Sequence, residues 1–393
     1  MLEFDEVIAP LTRDQFLMDY WNKSVLAAKG PAGRFTDLLG WDELNGILEQ
    51  LQLSPPRLRL THEGRAVEPF RYMSPGAGGT PQLNSGKLAA CLSGGATLVL
   101  DRVEELAPKV RKLAASFRNA LHAGSYVNLY AGWHSQPGLD LHWDSQEIMV
   151  LQLSGRKRWQ IYQPTRLNPL PDDIEAPPKP AGSPVWDGML EDGDILYIPR
   201  GWWHVAFPVG EPSLHLTVAT VPPHGLDLLQ WLIGRLCRHE AVRAALPLLD
   251  DVRGQKAYLK ALRPLLTEAL ADDAIAQFRH EWEGDLRPLP HIRLPDMPYI
   301  QIATLSDTHR IRLAAAHHLH FVRNGANTEF KAHGVLWGGL PPDLVPALEM
   351  LNDTHSVSFV ELCAELDGDT AKANLRQTLA ALARAGVVLI EKP

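Results

Sequence analysis

The sequence predicts an α+β chain with a β-rich barrel or sandwich at its centre, a helical stretch after it, and a small helix-and-strand domain at the end. Three observations carry this. Between residues 124 and 222 the runs SYVNLYAG, GLDLHWD, EIMVLQLSG, RWQIYQP, DILYIP, WWHVAFP and SLHLTVATV follow one another, each short and bounded by Gly, Pro or Asp. Many short strands with turn signals mean a sandwich or barrel, and a double-stranded β-helix is one such form. From Leu226 apolar residues return at helix spacing, and after residue 298 the order is helix, turn, helix, β run, which is that of a winged helix.

Taken in order, DQFLMDYWNKSVLAAKG reads as a helix ended by Gly30, and WDELNGILEQLQ as a second. SPPRLRLTHEG is extended, because Pro56 opposes helix and RLRL alternates. TLVLDRVEEL passes from a strand into a long amphipathic helix with Leu106, Val110, Leu113 and Phe117 on one face. Inside the β-rich block only the polar, Pro-rich insert 164–184 interrupts the strands. LDLLQWLIGRLCRHEAVRAALPLL and QKAYLKALRPLLTEALADDAIAQFRHEWEG are helical, and a Pro-rich break follows near 288–298. SVSFVELCAEL and TAKANLRQTLAALARAG are helices, and VVLIEK closes as a strand. The resulting domains are a segment covering the barrel (1–85), the barrel (86–222), a helical region (223–297) and the winged-helix-like part (298–393).

With 393 residues, 45% apolar and 21% charged, the composition is that of a soluble globular chain of more than one domain. A net charge of −8 gives no bulk attraction to polyanions. Cys91, Cys237 and Cys363 lie far apart with no CxxC pair, which argues against a disulfide framework or thiolate zinc site and fits a reducing, cytoplasmic setting. The N-terminus lacks a basic start followed by an apolar core, and no run is long enough to span a bilayer.

Chemistry concentrates in LHWDS. His142 and Asp144 are two apart in a β-type run, so both side chains point to one face and can reach one ion. His204 lies in GDILYIPRGWWHVAFP, a strand–turn–strand that a folded-back barrel can return to the first pair. Two imidazoles and a carboxylate on one side of a metal leave positions open for a bidentate co-substrate and O₂, the arrangement of non-haem Fe(II) oxygenases. An isolated HxD is weak evidence; the strand context and the second histidine strengthen it.

HWDSQEIMVLQLSGRKRW, followed by DGDILYIPRGWWHVAFP and SLHLTVAT, resembles the JmjC-type cupin oxygenases, specifically their ribosomal oxygenase group. TLVLDRVEEL, the long helix and SYVNLYAG also match, as does the order of a helical dimerisation region and a winged helix. The resemblance implies iron held by His142, Asp144 and His204, with 2-oxoglutarate and O₂ as co-substrates. It implies oxidative decarboxylation coupled to hydroxylation of a C–H bond, on an Arg or His side chain of a ribosomal protein. Lys157 matches the cation that pairs with the distal carboxylate of 2-oxoglutarate, with Arg156 and Arg158 as rivals on the opposite strand face. Asn128 matches a position lining the co-substrate pocket. Where several members carry serine on the last barrel strand, this chain has Ala219.

Other features read as structural. PGAGGT lacks the GK[ST] of a phosphate loop. HHLH (317–320) alternates with apolar residues and has no acidic neighbour in sequence. His134 and His215 lie nearer the barrel; His215, within SLHLTV, is read either as packing, which is favoured, or as an inward strand histidine close to the site, and at least one of Trp202 and Trp203 packs the wall. Asp140, Glu147, Asp187, Glu191 and Asp192 read either as an acidic lean suited to a basic peptide or as solvated turns. The last domain, with eight Lys and Arg against ten Asp and Glu after residue 299, has no phosphate-tracking face: Lys372, Arg376 and Arg384 are too spread. The apolar helices after the barrel predict a homodimer. Competing functions are the same chemistry on a biosynthetic precursor peptide or small molecule, and a non-enzymatic metal-binding cupin.

Overall fold

The computed structural model describes residues 2–50, 52–170, 173, 178–286, 305–314, 319–324, 327–353 and 356–391. The chain divides into two compact units, Met1–Pro222 and Pro223–Pro393.

In the first unit the helices are α1 (Phe4–Ile8), α2 (Arg13–Asp19), α3 (Trp41–Gln50), α4 (Ser85–Ser93) and α5 (Pro108–Leu121). Its strands are β1 (Leu26–Ala28), β2 (Leu58–His62), β3 (Arg65–Ala66), β4 (Met73–Pro75), β5 (Pro81–Leu83), β6 (Thr97–Leu100), β7 (Gly124–Gly132), β8 (Glu147–Ser154), β9 (Lys157–Tyr162), β10 (Trp186–Leu190), β11 (Ile195–Ile198), β12 (Trp203–Pro208) and β13 (Ser213–Val221). The large sheet runs β1-β11-β8-β13-β7-β6-β2-β3, and the small one β10-β9-β12.

The large sheet is buried on both faces. Its outer face carries Val127, Leu129, Met149, Leu151, Leu216 and Val218 against Val110, Leu113 and Phe117 of α5 and Phe4 and Phe16 of the N-terminal helices. Its inner face carries Ile148, Val150, Leu196, Ile198 and Ala219 against Trp159 and Ile161 of the small sheet. Burial on both sides explains why EIMVLQL and SLHLTVAT lack a clean polar alternation. The small sheet is covered on one side only, and along β9 buried positions alternate with more open ones. Gly155, at φ +66°, makes the tight turn from β8 to β9, where a Cβ would sit 2.0 Å from the Pro212 carbonyl oxygen.

Three expectations change. The first predicted helix stops at Asp19: Phe16 is buried, Asn22 takes φ +55°, and the chain then supplies β1, paired with β11. Asn22 donates its N–H to the Tyr197 hydroxyl at 2.8 Å, and Trp21 stacks on that ring. Tertiary packing thus overrides helix propensity. Residues 1–85 give strands to the main sheet as well as covering it. GLDLHWD is not a strand: only His142 bridges a partner, His204, and β10 just beyond the insert was not anticipated. PGAGGT spans the turn between β4 and β5, as expected.

The second unit holds α6 (Gly225–Leu236), α7 (Glu240–Arg243), α8 (Val252–Ala269) and α9 (Ala274–Asp285). Beyond them lie β14 (Arg310–Leu313), β15 (Phe321–Asn324), β16 (Asn327–Ala332), β17 (Val335–Leu340), α10 (Val345–Asp353), β18 (Val357–Ser358), α11 (Phe359–Ala364), α12 (Gly368–Arg384) and β19 (Val388–Glu391). β14 pairs with both β18 and β19, while β15, β16 and β17 form a separate sheet that the sequence did not announce. The predicted Pro-rich break near 288–298 lies outside the described residues. No described helix is long and apolar enough to cross a membrane.

Candidate metal centre and co-substrate cavity

A cavity of about 310 Å³ lies between the two sheets, a size suited to a small organic ligand. At one end stand His142, Asp144 and His204, with one ligating atom from each lying within 4.8 Å of the others. The bridge that joins them is short. His142 N–H donates to His204 O at 3.1 Å, and His204 N–H donates to His142 O at 2.7 Å. Asp144 is anchored by its own carbonyl, which accepts the Gly201 N–H at 2.8 Å. Gly201 sits at φ +81° with Pro169 Cδ 2.7 Å from where a Cβ would stand, so the Pro-Arg-Gly turn needs glycine there.

The imidazoles are oriented from behind. His142 Nδ1 lies 2.7 Å from Asp140 O, and His204 Nδ1 lies 3.1 Å from Trp202 O. Carbonyl acceptors at Nδ1 fix the proton there and leave each Nε2 lone pair facing the centre, as metal-binding histidines require. His204 Nε2 is 3.4 Å from Asp144 Oδ2. Burial and the neighbouring His204 push His142 below its ordinary pKa, which favours the neutral, ligating form. Burial works to raise the Asp144 carboxyl, but the neighbouring His204 and His142 outweigh it and hold the group below its ordinary pKa. The chemistry of this donor set fits a divalent metal with open positions.

Lys157 lines the same cavity at 5% exposure, and burial drops its pKa to about 7. No acidic side chain is paired with it among the described residues; its Nζ lies 6.0 Å from the Tyr130 ring centre and 5.8 Å from that of Trp159. Its rivals point outward, as the alternation required: Arg156 pairs with Glu211 at 2.8 Å and Arg158 with Asp187. Asn128 lines the wall and accepts the Arg102 N–H at 3.0 Å, so it both faces the cavity and orders the turn after β6. Ala219 belongs to the apolar packing between the sheets.

Cavity residues that the sequence reading missed include Arg59, Tyr130, Trp159 and Thr217. Tyr130 is two residues beyond Asn128 and Trp159 two beyond Lys157, so strand alternation could have found both. Arg59 comes from β2 and pairs with Asp101 through two hydrogen bonds of 2.7 and 3.0 Å; nothing local in the sequence marks it. His215 also lines the cavity, beyond the packing role favoured for it. His134 is exposed, Trp203 is buried with its Nε1–H donated to Thr165 at 2.9 Å, and Trp202 packs beside the inner core.

Of the residues expected to give an acidic mouth, Asp140 is exposed beside His142, and the other four are buried or engaged by partners. Glu147 is buried and accepts the Tyr197 hydroxyl; Asp187 is held by Arg158, Glu191 by Lys29, and Asp192 accepts the Gly33 N–H. In HHLH, His317 and His318 lie outside the described residues. His320 does have an acidic neighbour, Glu283 at 3.5 Å, supplied by α9 rather than by nearby sequence.

This geometry defines a class: a double-stranded β-helix with a two-histidine, one-carboxylate centre. Residues 105–228 match the family model for the JmjC domain, so the chain carries a JmjC domain. Across nearly its whole length it also has the fold of YcfD, a ribosomal oxygenase from Escherichia coli, with a TM-score of 0.62 and 20% identity over 97% of this chain and 98% of that one. A YcfD structure in complex with cobalt and 2-oxoglutarate aligns with the same score at 19% identity, over 97% of this chain and 99% of that one. Among curated relatives, the bifunctional lysine-specific demethylase and histidyl-hydroxylase NO66 of Drosophila persimilis is 27% identical over 257 residues, 62% of this chain and 35% of that protein. Ribosomal oxygenase 2 of Rattus norvegicus is 37% identical over 135 residues, 32% of this chain and 29% of that protein. The chain thus spans about a third of the length of these relatives.

Proposed function

We propose that this chain is an Fe(II)- and 2-oxoglutarate-dependent hydroxylase. The observation that carries the reading is one cavity holding two opposite kinds of group: the His142, Asp144 and His204 donors, and Lys157, which has no acidic partner among the described residues. A buried ammonium without a carboxylate is costly unless a ligand supplies the anion. When bound, the metal would supply oxygen activation coupled to decarboxylation of the keto acid. The chain's own work is to hold that metal through the two Nε2 atoms and the Asp144 carboxylate. Lys157 orients the far carboxylate, and the walls around Trp159 and Ile148 exclude water.

For the substrate, relatives named ribosomal oxygenase and histidyl-hydroxylase support a ribosomal protein and a His side chain, with Arg the other target that the sequence resemblance implies. The test is succinate formation from 2-oxoglutarate with Fe(II), with and without a panel of ribosomal proteins, and a +16 Da shift on one of them. Turnover with a small molecule or precursor peptide alone would shift the substrate class. Metal binding without 2-oxoglutarate binding would leave a non-enzymatic cupin.

For the second unit we propose a helical dimerisation region over 223–297 and a winged-helix-like domain over 298–393. Leu226, Leu229 and Ile233 on α6, and Val252, Leu259 and Leu266 at seven-residue spacing on α8, are exposed apolar stripes that support a homodimer. Sedimentation of Leu259→Lys against the wild type tests this, with a monomer expected for the variant. The order α11, α12, β19, with β19 paired to β14, supports the winged-helix reading, and a cytoplasmic setting agrees with the free cysteines.

A further inference from the structure

His215 stands in the cavity wall with a role that metal binding does not use. It faces Tyr130 across the β7–β13 ladder, the two rings stacked at 5.0 Å and 6°. Trp159 meets it edge-on at 5.6 Å. The same two rings are the neighbours of the Lys157 ammonium, so His215 and Lys157 share one aromatic corner of the cavity. His215 is 2% exposed, and its Nδ1 has no hydrogen-bond partner among the described residues; neither has Trp159 Nε1. A buried polar nitrogen left unpaired costs free energy, so a corner holding two of them beside a lone ammonium is built for an acceptor-rich guest. A carboxylate is such a guest, with about four lone-pair sites on two oxygens.

We infer that His215 is a positioning residue for the co-substrate: with Lys157 it reads the far carboxylate, and so selects a keto diacid over a keto monoacid. This rests on the co-substrate reading above. Lys157 supplies the charge, and the imidazole supplies a directed N–H that the flexible ammonium cannot. Burial first, and then the Lys157 charge, push the His215 pKa well below its ordinary value, so the ring stays neutral. Tyr130 and Trp159 hold its plane.

The test uses the full chain loaded with Mn(II) and measures binding of 2-oxoglutarate and of 2-oxovalerate, which has the same keto acid end but a methyl in place of the far carboxylate. His215→Phe keeps an aromatic ring in the stack and removes the donor. It should weaken 2-oxoglutarate binding by about tenfold to a hundredfold, the range for losing a hydrogen bond to a charged group, and leave 2-oxovalerate and Mn(II) binding unchanged. His215→Asn, which restores a donor, should recover part of the loss. Equal weakening of both acids would reduce His215 to packing and overturn the inference, as would an unchanged affinity for 2-oxoglutarate. If the wild type binds Mn(II) but not 2-oxoglutarate, the co-substrate reading itself falls, a result no His215 variant can mimic.

Discussion

The two ends of the cavity solve the problem of buried charge in opposite ways. At the metal end, Asp144 keeps its side chain 33% exposed and sits against two imidazoles, in a segment held by a single bridge and a glycine turn. At the far end, Lys157 is on a regular strand, almost wholly buried, with aromatic rings and a neutral histidine around it. One end offers a carboxylate and two imidazoles to a cation; the other has an ammonium with no carboxylate beside it among the described residues. That difference is what supports the proposal of an anionic guest, since a fully paired far end would have no reason to take one.

The comparison breaks most visibly at the metal end. His142→Ala or Asp144→Ala removes a donor that nothing nearby replaces, so 2-oxoglutarate turnover should fall by about a thousandfold or more while the circular dichroism spectrum is retained. Retained turnover would mean the donors are not the metal ligands. At the far end, Lys157→Ala should weaken 2-oxoglutarate binding by about ten- to a hundredfold and leave metal affinity intact, read by titration with Mn(II).

A pH series sharpens the contrast without mutation. The Lys157 pKa is lowered in the folded chain to about 7 from 10.5, so between those values the unfolded chain binds the extra proton. Through this group, stability without ligand should therefore rise as pH increases from about 7 toward 10.5. Binding of the dianion needs the proton and should weaken over the same interval, an opposite slope that thermal melts with and without 2-oxoglutarate would display. Parallel slopes would take Lys157 out of the binding site. The smallest effect is expected outside the cavity: Arg158→Ala breaks a solvent-exposed pair with Asp187 and should change neither melting temperature nor 2-oxoglutarate affinity measurably. A large loss there would reverse the assignment of the two faces of β9.

Much of the site is legible in the sequence because it obeys short-range rules. Alternation along SGRKRW puts Lys157 opposite its arginine neighbours, and the structure has Lys157 inside with Arg156 and Arg158 outside. The same rule misled for GLDLHWD, where the residues carrying the two donors form no strand and are fixed by His204 and Gly201, about 60 positions away. Arg59 illustrates the larger gap. It reaches the cavity because β2 extends the sheet beyond β6, a pairing with no local signature.

By itself the sequence determined the donor types, the approximate barrel and the helical stretch after it, because hydrophobic period, turn residues and ligand chemistry are written locally. Tertiary structure alone decided that the second half of the first predicted helix becomes β1, that the acidic loop residues are mostly engaged by partners, and that His215 faces Lys157's corner of the cavity. Those outcomes depend on which distant residue arrives alongside. A side chain's charge state and exposure are set by that neighbour rather than by its place in the chain.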